Sequence, residues 1–143
     1  MIEDLGNVGD FIGGFGVVVT VIYLAYQIRN NTASTRSATY QSVVAYISEW
    51  TLQLGLSRDA TRIFGIGLDD FEALSSEEQA QCSFLLASVV RHFENIHFQY
   101  ITGAIDHDLW DGWSSRILGI VSSPGAQVWW SSQKSAFSNE FQA

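Results

Sequence analysis

The sequence is poor in cysteine, proline and basic residues. Its 143 residues include one cysteine, Cys82, one proline, Pro124, and one lysine, Lys134. A single cysteine excludes an internal disulfide and a metal site built only from thiolates of this chain. Seven basic residues against fifteen acidic ones give a formal charge of −8, whereas a nucleic-acid-binding protein needs a basic face to neutralise phosphates. We therefore expect no nucleic-acid partner.

Motifs of the common enzyme classes are also missing. The sequence has no Ser-His-Asp order with a nucleophile elbow, no CxxC, and no glycine-rich phosphate loop that follows a strand. The run Gly13-Gly14-Phe15-Gly16 is embedded in apolar sequence, so it does not suit a nucleotide loop. The chain is more readily interpreted as non-enzymatic, and no cofactor is predicted.

The longest apolar run is uncharged from Phe11 to Ile28. A membrane-spanning helix needs about 20 mostly apolar residues, and the weakly polar residues 5–9 bring the run to that length. Acidic residues precede the run and arginines follow it, which predicts an N-terminus outside the inner membrane and a cytoplasmic remainder. This pattern predicts a retained single-pass anchor over residues 1–29 and a cytoplasmic helical bundle over residues 30–143.

Small residues recur within this run at spacings of three and four. Such spacing places them along one face of a helix, and small residues there let two helix backbones approach closely. Because glycine costs a helix about 1 kcal/mol relative to alanine, the stripe favours helix packing, although glycine is also common in membrane helices. The predicted packing residues are Gly6, Gly9, Gly13, Gly16 and Thr20.

The remaining chain has the apolar periodicity of helices, so the predicted fold class is all-α. No glycine or proline interrupts residues 30–37, so we expect the N-terminal helix to continue to about Leu56, with a kink near Asn30 as the alternative. A short connecting helix follows, capped by Ser57 or Asp59. Ser75 and Glu78 fit a capping box that opens a central helix ending at Gly103. Asp106 or Asp108 can cap the next helix, and a further helix begins at Ser123-Pro124.

One set of residues on the central helix could carry chemistry. Glu94 and His97 form an E-x-x-H, which places a carboxylate and an imidazole on one helical face, as in di-iron bundles. Such a site needs two of these motifs, and only one occurs. Weak candidates for a single-metal site are Glu49, Glu94 and His97. The alternative is a polar cluster in which Arg91, Glu94, Asn95 and a histidine satisfy one another.

Four tryptophans fall in two successive helices near the C-terminus. Indoles are enriched at protein interfaces because their body is apolar and their N–H needs a partner. The sequence equally allows an aromatic core between the two helices. The predicted interface residues are Trp110, Trp113, Trp129 and Trp130.

Several segments carry a resemblance that covers nearly the whole chain. YLAYQIRNNT, SEW, RHFENIHFQY, DLWDGW and SSPGAQVWW resemble an uncharacterised group of small bacterial proteins with an N-terminal transmembrane helix and a helical domain. The resemblance implies no activity, and the C-terminus here looks shorter than in similar proteins.

Taken together, these patterns predict an accessory or scaffold subunit of a membrane protein complex. It would dock through the glycine-striped helix, either on the membrane complex or on copies of itself. The alternatives are a metal-dependent helical-bundle enzyme of the carboxylate-histidine type and a membrane-tethered signalling adapter.

Overall fold

The computed structural model describes the backbone of residues 2–142 and the side chains of residues 13–142. This part of the chain is all-helical and contains no strand, which confirms the predicted all-α class. Two 3₁₀ turns, Phe71–Ala73 and Lys134–Ala136, separate some of the helices. The helices are α1 (Ile2–Leu56), α2 (Arg58–Asp69), α3 (Ser76–Ile101), α4 (His107–Val121), α5 (Pro124–Gln133) and α6 (Asn139–Gln142).

The first helix is continuous to Leu56, as predicted from the absence of helix breakers. By its internal contacts the chain divides into two compact units, Met1–Ala38 and Thr39–Ala143. The first unit is helical from Ile2. The second contains the last part of α1 and all the other helices.

The predicted transmembrane helix is wrong, and so is the single-pass location in the inner membrane derived from it. Among the residues that the structure describes, no helix combines the length and apolar character needed to cross a membrane. The uncharged run from Phe11 to Ile28 is itself shorter than the roughly 20 residues of a span, and it includes Thr20 and Gln27. Continuing past Ile28 adds Arg29 and two asparagines. Phe11 and Ile12, which begin the run, lie outside the described side chains.

The core of the second unit is built around α3, the helix predicted to be central. Cys82, Leu86, Val89, Phe93 and Ile96 are all 0% exposed. They recur at helical spacing and form one stripe, against which α2 and α4 pack. The remaining buried core residues are Val90 of α3 and residues from α1, α2, α4, α5 and the connecting segments.

Local capping chemistry sets the helix boundaries of this bundle. The predicted capping box is confirmed: the Ser75 side chain accepts from the Glu78 N–H, and the Glu78 carboxylate accepts from the Ser75 N–H at 2.9 Å. Ser57 caps α2, and Pro124 opens α5. Gly103 has a φ of +75°, the left-handed conformation that glycine adopts after a helix end.

The segment predicted to be a short connector is a helix of twelve residues, α2, that packs closely on α5. Its Gly67 lies beside Gly125 of α5. A Cβ added to Gly125 would stand 2.0 Å from the Gly67 carbonyl oxygen. The missing side chain of Gly125 therefore lets the two backbones meet, and no local pattern in the sequence predicts this contact.

Candidate functional site

The most unusual surface lies on α1 between residues 13 and 28. Ten large apolar side chains in this segment are exposed, from 49% at Val19 to 67% at Ile28. They are Phe15, Val17, Val18, Val19, Val21, Ile22, Tyr23, Leu24, Tyr26 and Ile28. Single exposed apolar residues are normal on a protein surface, whereas a contiguous patch of this kind marks an interaction site.

Helical geometry divides this segment, which we call the apolar segment, into sides. At 100° per residue, one side carries Phe15, Val19, Ile22 and Tyr26. The opposite side carries Val17, Val21, Leu24 and Ile28. The small residues Gly13, Gly16 and Thr20 share a strip between the two sides. Both sides of the strip are therefore flanked by large apolar side chains.

Within the part of the chain that the structure describes, no neighbour requires the two glycines of the small-residue strip. A Cβ built at Gly13 or Gly16 would meet nothing within 4 Å, so neither glycine is required by a neighbour. The Thr20 hydroxyl donates to the Gly16 carbonyl at 2.8 Å, a bond internal to α1. Gly6 and Gly9 lie outside the described side chains. Helix packing through this strip stays a prediction.

On α3, Glu94 binds the C-terminal segment of the chain. Its carboxylate accepts the Ser138 backbone N–H at 2.6 Å and pairs with Arg91 one turn away. Arg91 also donates to the Ala136 carbonyl at 2.8 Å and lies over the Phe137 ring, 4.3 Å from its centroid. Burial raises the pKa of Glu94, but the Ser138 hydrogen bonds and the Arg91 pair outweigh it, so the pKa is lowered. The two side chains thus fasten the C-terminus to α3.

The residues proposed for a metal site do not form one in the part of the chain that the structure describes. No three His, Cys, Asp or Glu side chains are grouped there in a way that could hold a metal ion. Glu49 is exposed, Glu94 is engaged by Arg91 and Ser138, and His97 lies between Trp110 and Phe141 at centroid distances of 5.5 and 5.9 Å. The polar-cluster interpretation describes Arg91 and Glu94, whereas Asn95 is exposed.

His92 has a separate environment on the other side of α3. It is 5% exposed, and its ring stacks on Tyr46 of α1 at 4.3 Å. Burial lowers the pKa of His92, against the opposing effect of a backbone hydrogen bond with Val43. The Nε2 atom is buried and has no hydrogen-bond partner. His92 is therefore a packing residue between α1 and α3, and its burial disfavours the charged form.

The tryptophans lie largely within the bundle. Trp129 is 3% exposed, while Trp110, Trp113 and Trp130 are half-buried against the core. Trp110 stacks on Tyr100 at 4.8 Å, and Trp130 contacts Phe137 at 5.1 Å. This arrangement agrees with the aromatic-core alternative for Trp129. An interface role for the three half-buried indoles stays a prediction.

Sequence reasoning missed two contacts with the C-terminal segment: Arg91 donates to the Ala136 carbonyl, and Glu94 accepts the Ser138 N–H. The spacing of Arg91 and Glu94 signals an ion pair on one helix, but nothing in the sequence signals their distant backbone partners. By contrast, the apolar run that forms the exposed segment is visible from composition alone.

Comparison with known proteins leaves this chain without a match among family models, curated proteins and solved structures. The resemblance to an uncharacterised bacterial group therefore stays a prediction, and function is argued from the geometry.

Proposed function

We propose that this protein is a non-enzymatic scaffold or accessory subunit that associates with other polypeptide through the apolar segment, residues 13–28 of α1. The observation that carries the proposal is the exposure of ten large apolar side chains within sixteen consecutive residues. In water, covering such a surface is favourable, because each Å² of apolar area that is buried contributes about 25 cal/mol of free energy.

The size of the segment suits an interface. At half to two thirds exposure, ten aliphatic and aromatic side chains present on the order of 1,000 Å² of accessible surface. A specific protein interface buries roughly 800 Å² on each partner. The segment therefore offers enough area for one stable interface without help from the helical bundle.

Its composition also suits association with protein. Residues 13–28 contain no charged side chain, so a partner need not desolvate an ion to cover them. The polar side chains Tyr23 and Gln27 share one hydrogen bond, in which Gln27 Nε2 donates to the Tyr23 hydroxyl at 2.7 Å. The interface would thus be mainly apolar, as in permanent assemblies.

The metal-enzyme alternative is less well supported. Of its three candidate ligands, Glu94 serves the Arg91 and Ser138 contacts and His97 packs among aromatic rings. A ligand set would require the C-terminal segment to be released from α3. We therefore favour the scaffold function.

A photo-crosslinking experiment tests the proposal in native cell extracts. Benzoylphenylalanine replaces Phe15 in one variant and Phe84 in a matched control; these side chains are 65% and 77% exposed, and Phe84 lies on α3. We expect discrete polypeptide adducts from position 15 and none from position 84. Adducts at both positions, or adducts at position 15 with lipid alone, would overturn the proposal.

A further inference from the structure

We infer that the helical bundle holds a binding site for a small, uncharged aromatic molecule. The site is a cavity of about 210 Å³ at the place where α3, α4, α5 and α6 meet. It lies in the second unit, Thr39–Ala143, whereas the proposed function concerns residues 13–28 of α1. The inference therefore goes beyond the proposed function, and either can fail without the other.

The inner wall of the cavity is aliphatic. Val90 of α3 is 2% exposed and Ile117 of α4 is 8% exposed, and both belong to the hydrophobic core. Val121, the last residue of α4, completes this wall. Protein interiors pack densely and leave few voids larger than a water molecule, and an apolar void costs stability in proportion to its volume. A cavity of this size next to the core is therefore not what close packing alone produces.

The outer wall of the cavity is aromatic. Trp130 of α5 and Phe141 of α6 have ring centroids 6.1 Å apart and ring planes at 86° to each other. Aromatic rings prefer offset-stacked or edge-to-face neighbours, so two perpendicular rings suit a planar ligand that stacks on one ring and meets the edge of the other. An apolar cavity of about 150 Å³ is enough to bind benzene. This larger cavity can admit two fused rings.

The lining also contains two amides, Gln127 and Gln142. Gln127 Nε2 donates to the Val121 carbonyl, and Gln142 Nε2 donates to the Phe137 carbonyl at 2.7 Å. Both amides are thus held in place, and each keeps further capacity for hydrogen bonds with a ligand. Among the lining residues that the structure describes, none is charged. Because a buried ion needs a counter-charge, the cavity favours an uncharged ligand.

The outer wall is fastened by a contact outside the cavity. Phe141 and Gln142 belong to α6, and the N–H of Ser138, the residue just before this helix, donates to the Glu94 carboxylate at 2.6 Å. Phe137, the preceding residue, is 7% exposed. The wall is therefore positioned without help from a ligand, as in most small-molecule sites, which are largely preformed.

Binding of 5-fluoroindole to the purified full-length chain, followed by fluorine NMR, tests the inference. We expect saturable broadening of the ligand signal, which excess indole reverses. Benzoate and benzylammonium are aromatic probes of similar size that carry opposite charges. Each should displace the fluoroindole about tenfold more weakly than indole does, because the cavity provides no counter-charge.

Filling the cavity should remove the binding. Val121→Phe places a ring in the space that the ligand would occupy, so the affinity for 5-fluoroindole should fall by about tenfold or more. The matched control is Val128→Phe on α5, at a 47% exposed valine that does not line the cavity. The affinity of this control should stay within about twofold of the wild type, because substitutions on the exposed surface leave the cavity unchanged.

A second filling variant guards against a loss of folding. Filling an existing cavity commonly stabilises a protein, so Val121→Phe should melt at the wild-type temperature or above it when followed by circular dichroism. If Val121→Phe unfolds instead, Gln142→Trp, in the last turn of α6, fills the cavity from its outer wall and should give the same loss of affinity.

Four results would overturn the inference: no saturable binding to the wild type, displacement by a charged probe as effective as by indole, unchanged affinity in a folded filling variant, and a control as weak as the filling variants. Unchanged affinity in a filling variant would place the fluoroindole on another apolar surface. None of these results bears on the crosslinks expected from position 15, so failure of the proposed function stays distinguishable.

Discussion

A methyl group added at Gly125 would collide with the backbone of α2 and of the 3₁₀ turn that follows it. The new Cβ would stand 2.0 Å from the Gly67 carbonyl oxygen, 2.9 Å from the Phe71 nitrogen and 3.0 Å from the Gly67 carbonyl carbon. None of these atoms belongs to a side chain that can rotate away, so α2 and α5 must separate. Overpacking of a core typically costs about 1–3 kcal/mol. Because every clashing atom belongs to the backbone, we expect Gly125→Ala to lower the free energy of unfolding by about 3 kcal/mol.

That loss is a large share of the roughly 5–15 kcal/mol that stabilises a small domain. It corresponds to a fall of roughly 10 °C in Tm for a chain of this length. Urea unfolding followed by circular dichroism, together with a thermal melt, measures both quantities.

The matched control is Gly119→Ala in α4. A Cβ there meets nothing within 4 Å, so the substitution should stabilise the protein by up to about 1 kcal/mol through helix propensity. If Gly125→Ala and Gly119→Ala unfold at the same urea concentration, the close approach of α2 and α5 is refuted.

Three further predictions concern α3. Phe93→Ala should lower the free energy of unfolding in urea by about 3–5 kcal/mol, because Phe93 is fully buried. Phe84→Ala, at a 77% exposed position of the same helix, should change it by less than about 0.5 kcal/mol. Similar losses in the two variants would contradict the central position of α3. Burial lowers the pKa of His92 below its usual 6.5 in the folded protein, so on acidification His92 is protonated in the unfolded chain before it is protonated in the folded one. The free energy of unfolding should therefore be highest above about pH 6.5 and fall as the pH drops. His92→Phe should flatten this dependence in a pH series of thermal melts. Glu94→Gln should speed hydrogen exchange at the Ser138 amide, whose acceptor loses its charge, and unchanged protection would mean that the C-terminus is held elsewhere.

Local rules predicted the helix boundaries well. Ser75 and Glu78 satisfy each other within one turn, so their capping box can be recognised from four residues of sequence. Pro124 fixes its own φ and suits the first position of α5 in the same way. The continuity of α1 to Leu56 followed from the absence of a breaker in residues 30–37.

Contacts between distant residues could not be predicted in this way. In the sequence, Gly67 and Gly125 are two residues that weaken helices. Their close contact follows only from the packing of α2 on α5. Glu94 fits a metal-binding motif by its spacing to His97, yet its actual partner is the Ser138 N–H. A backbone donor has no signature in sequence, because every residue except proline carries one.

The transmembrane prediction was wrong for a different reason, the length of the uncharged run. The uncharged run from Phe11 to Ile28 reaches the length of a span only when the weakly polar residues 5–9 are counted with it, and among the described residues no helix is long and apolar enough to cross a membrane. The exposed apolar side chains of residues 13–28 are nevertheless real features of α1.

The buried thiol of Cys82 can report on conformational opening of the protein, because a thiol reagent reaches it only when the core opens. Its sulfur lies where a Cβ at Gly67 would come within 2.3 Å of it, and its side chain is 0% exposed. Burial raises the pKa of the thiol to about 11, so neither access nor ionisation favours attack by a thiol reagent in the folded state. Each modification must then record an opening of the core around Cys82, where Gly67 of α2 is a close neighbour. Because the sequence holds one cysteine, the modification rate reports how often the core opens at that one site. No added probe is needed, and no second thiol contributes to the signal.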